Sequence, residues 1–131
     1  MSEIMNTSLL GSIGEEAAVV LLKSKGYKIV ARNIWRRWGE IDIVARAKDG
    51  CLIFVEVKTR QGIDQSPEQN YTFAKHTKTV RAVQLYMQKH PTLIYEQAGI
   101  RIDLIAVKVL FEKDDGKKCK TELVHYENIA V

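Results

Sequence analysis

Asp42, Glu56 and Lys58 are charged residues inside two segments that are otherwise rich in apolar side chains. Such segments predict β-strands, whose side chains alternate between the two faces of a sheet. Glu56 and Lys58 are two positions apart and therefore share a face. Two acids beside a lysine form a charge cluster that can bind a cation or shift the pKa of one member. These three residues are the first candidates for chemistry in the chain.

A short loop determines how the two segments face each other. Lys48-Asp49-Gly50 predicts a three-residue hairpin turn that ends in a left-handed glycine. Counting back from this turn places Asp42 opposite Glu56, and Glu40 opposite Lys58. Directly opposed residues have Cβ atoms about 5 Å apart, and two carboxylates about 4 Å apart repel by on the order of 4 kcal/mol. A raised pKa, the lysine or a bound cation must offset this repulsion.

Two interpretations of this charge cluster are open from the residues alone. In the first, a divalent metal binds between the acids, and oxygen-only ligands favour Mg²⁺ or Mn²⁺ over zinc. In the second, Glu40 and Lys58 form an ordinary cross-strand ion pair, while Asp42 and Glu56 reach solvent.

Strand alternation also assigns the apolar residues of the hairpin to faces. We expect each strand to have one core face and one face for chemistry. The residues predicted to share the core face are Ile41, Ile43, Ala45 and Ala47 on the first strand, and Ile53, Val55 and Val57 on the second.

The rest of the chain predicts an α/β fold with the element order α-β-β-β-α-β-β, in which helices flank a mixed central sheet. A capping box from Ser12 to Glu15 predicts a helix over 12–25, which Gly26 ends. A second helix is expected over 74–90, with an apolar stripe through Val80, Val83, Leu85 and Met87, and Pro91 ends it. The predicted strands cover 27–33, 40–47, 52–59, 101–111 and 122–126, and a polar loop covers 61–73.

Length and composition favour a single domain spanning residues 1–131, with a flexible stretch over 1–10. The 131 residues, 46% of them hydrophobic, can bury one core and are too few for two. A net charge of +4 favours an anionic partner such as nucleic acid. Cys51 and Cys119 match no zinc spacing. Because there is no membrane-length apolar run and no signal-peptide pattern, we expect a cytoplasmic protein without membrane contact.

Several separated short motifs occur along the chain. They are Gly11-x-x-Gly14-Glu15, Asn33, Gly39-Glu40-Ile41-Asp42, the run from Phe54 to Arg60, Lys75, and Arg101-x-Asp103. In this order they resemble the YraN-like family (UPF0102) of small bacterial proteins, from about Gly11 to Ile129. That family is grouped with the PD-(D/E)xK nuclease superfamily, which includes restriction enzymes and archaeal Holliday-junction resolvases. The resemblance implies a restriction-endonuclease-like α-β-β-β-α-β core.

The resemblance also implies roles for individual residues. Asp42, Glu56 and the carbonyl of Val57 would hold Mg²⁺ or Mn²⁺, and Lys58 would orient the attacking water or stabilise charge on the phosphate. Glu15 resembles an extra acid that resolvase-like members place beside the metal.

Two of the acids have alternative interpretations. Glu15 is also what a helix capping box needs at its third position, so catalysis and capping both remain open. Glu40 is an accessory candidate, either as a further ligand or as the ion-pair partner of Lys58.

Five residues are candidates for nucleic-acid contacts. Arg60, Lys75 and Lys78 could bind phosphates, and Trp35 with Arg36 could stack on an exposed base or contact a phosphate. The alternatives are a solvated helix face for the lysines and a loop whose tryptophans pack on the core.

Asp103 also matches a position of the family, but a structural ion pair explains an acid in a buried strand equally well. His76, His90 and His125 have no metal-ligand spacing, and we expect no special role for them.

The leading functional hypothesis is a metal-dependent endonuclease that hydrolyses phosphodiester bonds in DNA, with branched or recombining DNA as one substrate class. The alternative is a non-catalytic nucleic-acid-binding or interaction module on the same fold. Resolvase-like members tend to be dimers, so the resemblance leaves a homodimer open.

Overall fold

A computed structural model describes residues 6–37, 39–62, 71–111 and 119–129. Its element order confirms the predicted α/β arrangement and the mixed sheet. The elements are α1 (Thr7–Ser24), β1 (Lys28–Arg36), β2 (Gly39–Arg46), β3 (Leu52–Gln61), α2 (Phe73–Lys89), a 3₁₀ turn (Pro91–Leu93), β4 (Ile100–Phe111) and β5 (Cys119–Tyr126). None of the helices in these ranges is long and apolar enough to cross a membrane.

The five strands form one sheet in the order β1-β2-β3-β4-β5. β3 and β4 pair in parallel, and the other neighbours pair antiparallel. Parallel neighbours need a crossover connection, and α2 supplies it between β3 and β4.

Each face of the sheet carries an apolar cluster under one helix. On one face, Ala18 and Leu22 of α1 pack with Ile43 and Val55. On the other, Val83 of α2 packs in a cluster that contains Val44, Leu52 and Phe54. The expectation of one core face per strand is therefore wrong, because α2 covers the second face of the hairpin.

Strand alternation breaks within β2. Ile41 packs in the α2 cluster, whereas Ile43, two residues later, packs in the α1 cluster. The prediction that both residues share one face is therefore wrong. A second irregularity lies on the neighbouring strand, where Asn33 has a left-handed φ of 51°. Both irregularities lie beside Asp42, which is the residue between the two isoleucines.

The predicted hairpin turn is confirmed. Gly50 has a φ of 93°, its amide donates to the carbonyl of Ala47 (3.0 Å), and the Ala47 amide donates to the carbonyl of Cys51 (2.9 Å). Val44 pairs with Phe54, as the counted register requires.

Several helix and strand ends differ from the predicted ones. The largest differences are at the start of α1, at the end of β1 and at the start of β5, which begins at Cys119 and not at residue 122. Helix α1 begins at Thr7, because the side chain of Asn6 accepts hydrogen bonds from the amides of Ser8 (2.8 Å) and Leu9 (3.4 Å). The predicted start at Ser12 is therefore wrong. Strand β1 continues to Arg36, three residues beyond its predicted end at residue 33, because its last residues pair with the first residues of β2.

The buried face of α2 also differs from the predicted apolar stripe. The buried residues are His76, Thr79, Ala82, Val83 and Tyr86. Polar side chains at the start of the helix thus face the sheet, close to the charged end of β3.

A polar network is buried near the start of β4, around Asp103. Asp103 is fully buried. It accepts hydrogen bonds from Arg101 (2.8 and 2.9 Å), from Nε2 of His125 (2.7 Å) and from the amide of Asn128 (2.8 Å). Burial opposes its charge, but the bonds from His125 and Arg101 outweigh burial and lower the pKa of Asp103. The structural interpretation of Asp103 is borne out by these bonds, and the expectation that His125 has no special role is wrong.

Candidate active site at the divergence of two strands

The candidate site lies where β2 and β3 stop pairing. Their ladder runs from Arg46 with Leu52 to Ile43 with Val55. Beyond this point, the amide of Val57 donates to Oδ2 of Asp42 at 2.8 Å. A side-chain carboxylate thus takes a bond that a strand carbonyl would otherwise accept. In an antiparallel ladder, the amide and carbonyl of alternate residues point to the same neighbour, so the Val57 carbonyl also faces the side of β2.

Asp42 is a carboxylate in an unfavourable environment. Burial and then the charge of Glu56 raise its pKa from 3.8 to about 7, and the charge of Glu15 acts in the same direction. The hydrogen bond from Val57 and the charge of Lys58 oppose this shift. The protein therefore holds a negative charge here at a cost in free energy, as expected for a group that has another partner during function.

Glu56 and Lys58 form an ion pair on one face of β3. Lys58 Nζ lies 3.0 Å from Glu56 Oε1, and the two side chains are 21% and 16% exposed. Burial raises the pKa of Glu56, and Lys58 opposes that shift most strongly, while Glu40 adds to it and Lys75 reduces it. Because Lys58 pairs with Glu56, the alternative in which Glu40 is its ion-pair partner is wrong. Glu40 is exposed and close enough to act on Glu56 through its charge.

Glu15 reaches the site from helix α1. Its neighbour Gly14 packs against Thr59, so closely that an added Cβ would lie 1.9 Å from the Thr59 hydroxyl oxygen. This close packing of helix on strand brings Glu15 near Asp42. Arg32 Nε donates to Glu15 Oε1 at 3.1 Å. The capping alternative for Glu15 is wrong, because the helix begins eight residues earlier and Asn6 caps it.

The donor set of this site fits a hard divalent cation. Among residues 6–37, 39–62, 71–111 and 119–129, no three His, Cys, Asp or Glu side chains are grouped to hold a metal on their own. Mg²⁺ does not need such a group, since it keeps several waters and binds one or two carboxylates together with substrate phosphates. Asp42, Glu56 and the carbonyl of Val57 offer only oxygen donors. The pKa values of both carboxyl groups are raised, and a bound cation would lower them again.

Comparison with known proteins places the chain in a family. The model described as "Uncharacterised protein family UPF0102" matches residues 14–107 of the chain. The chain belongs to this family. The matched range of UPF0102 contains Glu15, Asp42, Glu56, Val57 and Lys58.

Curated UPF0102 proteins match most of the chain. A protein of Clostridium botulinum (strain Loch Maree / Type A3) is 41% identical over 99 residues, covering 75% of this chain and 78% of the relative. A protein of Syntrophomonas wolfei is 40% identical over 109 residues, covering 82% and 88%. A protein of Symbiobacterium thermophilum is 40% identical over 100 residues, covering 76% and 81%.

Among solved structures, Pyrococcus furiosus SfsA in complex with Ca²⁺ aligns with 95% of this chain and 64% of its own, at 18% identity and a TM-score of 0.40. This likeness supports no inference about the UPF0102 chain.

Four of the five residues predicted to contact nucleic acid lie on two sides of the candidate site. Trp35 is 70% exposed at the end of β1, and the Arg36 guanidinium donates to the Trp35 carbonyl (2.8 Å). On the other side, Lys75 is exposed on α2 and lies near enough to lower the pKa of Glu56. Lys78 is exposed one turn further along that helix.

Arg60 is placed differently from these four residues. It is partly buried and donates to the carbonyl of Thr59 (2.9 Å).

Sequence reasoning missed three polar residues beside Glu56. The hydroxyl of Tyr71 lies 2.9 Å from Nδ1 of His76, and Thr79 hydrogen-bonds to Tyr71. Burial raises the pKa of Tyr71, and the charge of Glu56 adds to that shift. The spacing of His76, Thr79 and Val83 on one helical face is the signal that could have placed them inward.

Proposed function

We propose that this protein is a metal-dependent endonuclease of the PD-(D/E)xK type that hydrolyses phosphodiester bonds in DNA. The observation that carries the proposal is the arrangement at the strand divergence. There the Asp42 carboxylate binds the Val57 amide beside the Glu56–Lys58 ion pair. Two acids, a backbone carbonyl and a lysine lie together where β2 and β3 separate, and this set of groups suits metal-assisted hydrolysis of a phosphodiester.

Each of these groups has a distinct task in the proposed reaction. Asp42, Glu56 and the Val57 carbonyl would hold Mg²⁺ or Mn²⁺. When bound there, such an ion would act as a Lewis acid on the phosphate and would lower the pKa of a water molecule. The Lys58 ammonium, held by Glu56 at 3.0 Å, stabilises the negative charge that develops on the phosphoryl oxygens. Glu15, fixed by Arg32, adds negative charge on the α1 side of the metal position.

The surface on both sides of the site suits a polyanion. Lys75 and Lys78 lie exposed on α2, and Trp35 and Arg36 lie exposed on β1. Contacts of Lys and Arg with phosphates position nucleic acid without reading its sequence. We therefore propose that DNA crosses the site from α2 to the end of β1, with structure rather than sequence as the basis of selection.

The test is cleavage of end-labelled DNA by the purified protein in Mg²⁺, Mn²⁺ and EDTA. The substrates are linear duplex, single-stranded, flapped and four-way-junction DNA. Wild type is compared with Asp42→Ala and Lys58→Ala, and with Lys28→Ala as a matched control. Lys28 is an exposed lysine that pairs with Arg46, at the hairpin end of the sheet.

The proposal expects metal-dependent cleavage by wild type and Lys28→Ala, none by Asp42→Ala, and cleavage slowed by about 10²–10³-fold in Lys58→Ala, with the folding of both site variants intact. If wild type binds metal and DNA but cleaves no substrate, the protein is a binding module on a nuclease-like fold. Cleavage that survives both site substitutions would place the chemistry elsewhere.

A further inference from the structure

A small cleft lies beside the candidate site, where the last residues of β1 pair with the first residues of β2. Its volume is about 220 Å³, below the roughly 300–1,000 Å³ of pockets that take drug-sized ligands. A single planar ring system matches this size. The lining residues are Asn33, Ile34, Trp35, Glu40, Ile41 and Asp42. Asp42 thus belongs both to the cleft and to the proposed metal site.

The cleft combines a stacking surface with hydrogen-bonding groups. Trp35 is 70% exposed, although strand pairing with Glu40 fixes its backbone. An exposed aromatic ring on a paired strand offers a flat apolar surface at little cost in ordering. Asn33 contributes an amide that both donates and accepts, and the Glu40 carboxylate accepts from amino groups.

The backbone at Asn33 has a left-handed φ of 51° in the middle of β1. Residues other than glycine adopt this conformation rarely and at a cost in free energy. The irregular backbone coincides with the change of face on β2, where Ile41 and Ile43 lie under different helices. These departures from regular strand geometry coincide with the position of the cleft.

We propose that this cleft binds one unstacked DNA base next to the phosphate that is cut. The inference rests on the proposed function and specifies its substrate class as DNA with an unpaired nucleotide at the cleavage site. A base inside a duplex must first leave its stack and its pair, whereas an unpaired base at a flap or junction is already free. The base would stack on Trp35, and its polar edge would meet Asn33 and Glu40.

The two tryptophans of the chain allow a direct test. Trp38→Phe leaves Trp35 as the single tryptophan, whose fluorescence can be excited selectively over that of the five tyrosines. The probes are a fully paired duplex, the same duplex with a one-nucleotide flap, and that flap with an abasic nucleotide. Binding is measured in Ca²⁺, with a gel to verify that each DNA stays intact. We expect the flap with a base to change the Trp35 fluorescence and the abasic flap to leave it nearly unchanged.

Two matched substitutions separate stacking from bulk. Trp35→Phe keeps an aromatic face, whereas Trp35→Leu leaves an apolar side chain nearer to phenylalanine than to tryptophan in size and without an aromatic face. Because Trp35 is largely exposed, neither change removes core packing. Loss of base stacking weakens binding by about 5- to 150-fold. We expect Trp35→Leu to lose affinity for the flapped DNA within this range, Trp35→Phe to lose much less, and both to bind the abasic flap like wild type.

The outcomes distinguish this inference from the proposed function. A change in Trp35 fluorescence that requires the base, together with weaker binding by Trp35→Leu than by Trp35→Phe, supports the cleft inference even if no DNA is cleaved in Mg²⁺. The absence of cleavage would count against hydrolysis alone. Cleavage in Mg²⁺ with equal affinity for the flap and its abasic form would overturn the cleft inference and leave hydrolysis standing. Equal binding of duplex and flap by wild type would also overturn it.

Discussion

Replacing Asp42 by asparagine should stabilise the metal-free protein at neutral pH while it removes a proposed metal ligand. The amide oxygen of the new side chain can still accept the hydrogen bond from Val57, which Asp42 now accepts at 2.8 Å. What the substitution removes is the negative charge, which burial and Glu56 disfavour. The perturbation therefore separates the stability of the site from its function.

The size of the effect follows from the pKa of Asp42, which rises from 3.8 to about 7 on folding. Well below pH 3.8, the carboxyl is protonated in both states and costs nothing. As the pH rises towards 7, only the unfolded state loses the proton, so wild type loses stability. About three pKa units at about 1.4 kcal/mol each give on the order of 4 kcal/mol. Because Asp42 titrates together with Glu56, we expect the gain of Asp42→Asn over wild type to be about 2–4 kcal/mol at pH 8.

The assay is urea unfolding of wild type and Asp42→Asn between pH 4.5 and 8, in EDTA and in Mg²⁺. The difference between the two proteins should grow with pH in EDTA. In Mg²⁺ at about 100 times the dissociation constant, wild type should gain about 2.7 kcal/mol, and the variant should gain little. Glu122→Gln, on the exposed side of β5, is the control for removing an acid elsewhere. A difference that stays constant with pH, or a variant less stable than wild type at pH 8, would refute the reasoning.

Three further predictions concern other parts of the chain. Lys58→Ala should slow DNA cleavage by about 10²–10³-fold at saturating DNA, and a rate within threefold of wild type in single-turnover assays would contradict its role. Asp103→Asn should destabilise the fold by about 3–5 kcal/mol in urea, because it leaves Arg101 without its buried carboxylate partner; a change below about 1 kcal/mol would show that the network contributes little. Gly14→Ala should cost about 1–3 kcal/mol, because the new Cβ would lie 1.9 Å from the Thr59 hydroxyl oxygen. Thr59→Ala in the same chain should recover part of that loss in thermal unfolding, and no recovery would indicate that the clash is not with this hydroxyl.

The parts of the fold that local patterns determine were predictable from the sequence. The hairpin turn follows from Gly50 and from alternation on both sides of it, and the pairing of Val44 with Phe54 follows from the turn. The helix order and the mixed sheet follow in the same way, from the change between helical and strand periodicity.

The sequence could not predict features that depend on contacts between distant segments. Alternation assigns Ile41 and Ile43 to one face, but packing under two different helices separates them. His125 bonds to Asp103, 22 residues away, and no local period relates these positions. The start of α1 was placed at Ser12 because a capping box is a strong local signal, whereas Asn6 caps the helix in the structure.

The candidate site was predictable in part. Glu56 and Lys58 share a face by their spacing, and their ion pair follows from it. The hydrogen bond between Asp42 and Val57 was not predictable, because it forms only where the two strands separate. The approach of Glu15 depends on the docking of α1 against Thr59, which a sequence pattern does not encode.

The most direct test of a metal-dependent site between Asp42 and Glu56 is the anomalous scattering of Mn²⁺ in crystals of the Lys58→Ala protein bound to flapped DNA. This variant keeps the proposed ligands, and the loss of the lysine should slow cleavage of the bound DNA. We predict one Mn²⁺ ion within about 2.5 Å of oxygens from Asp42, Glu56 and the Val57 carbonyl, with a DNA phosphate as a further ligand. Mn²⁺ and phosphate bound away from these residues, at full occupancy, would contradict the assignment.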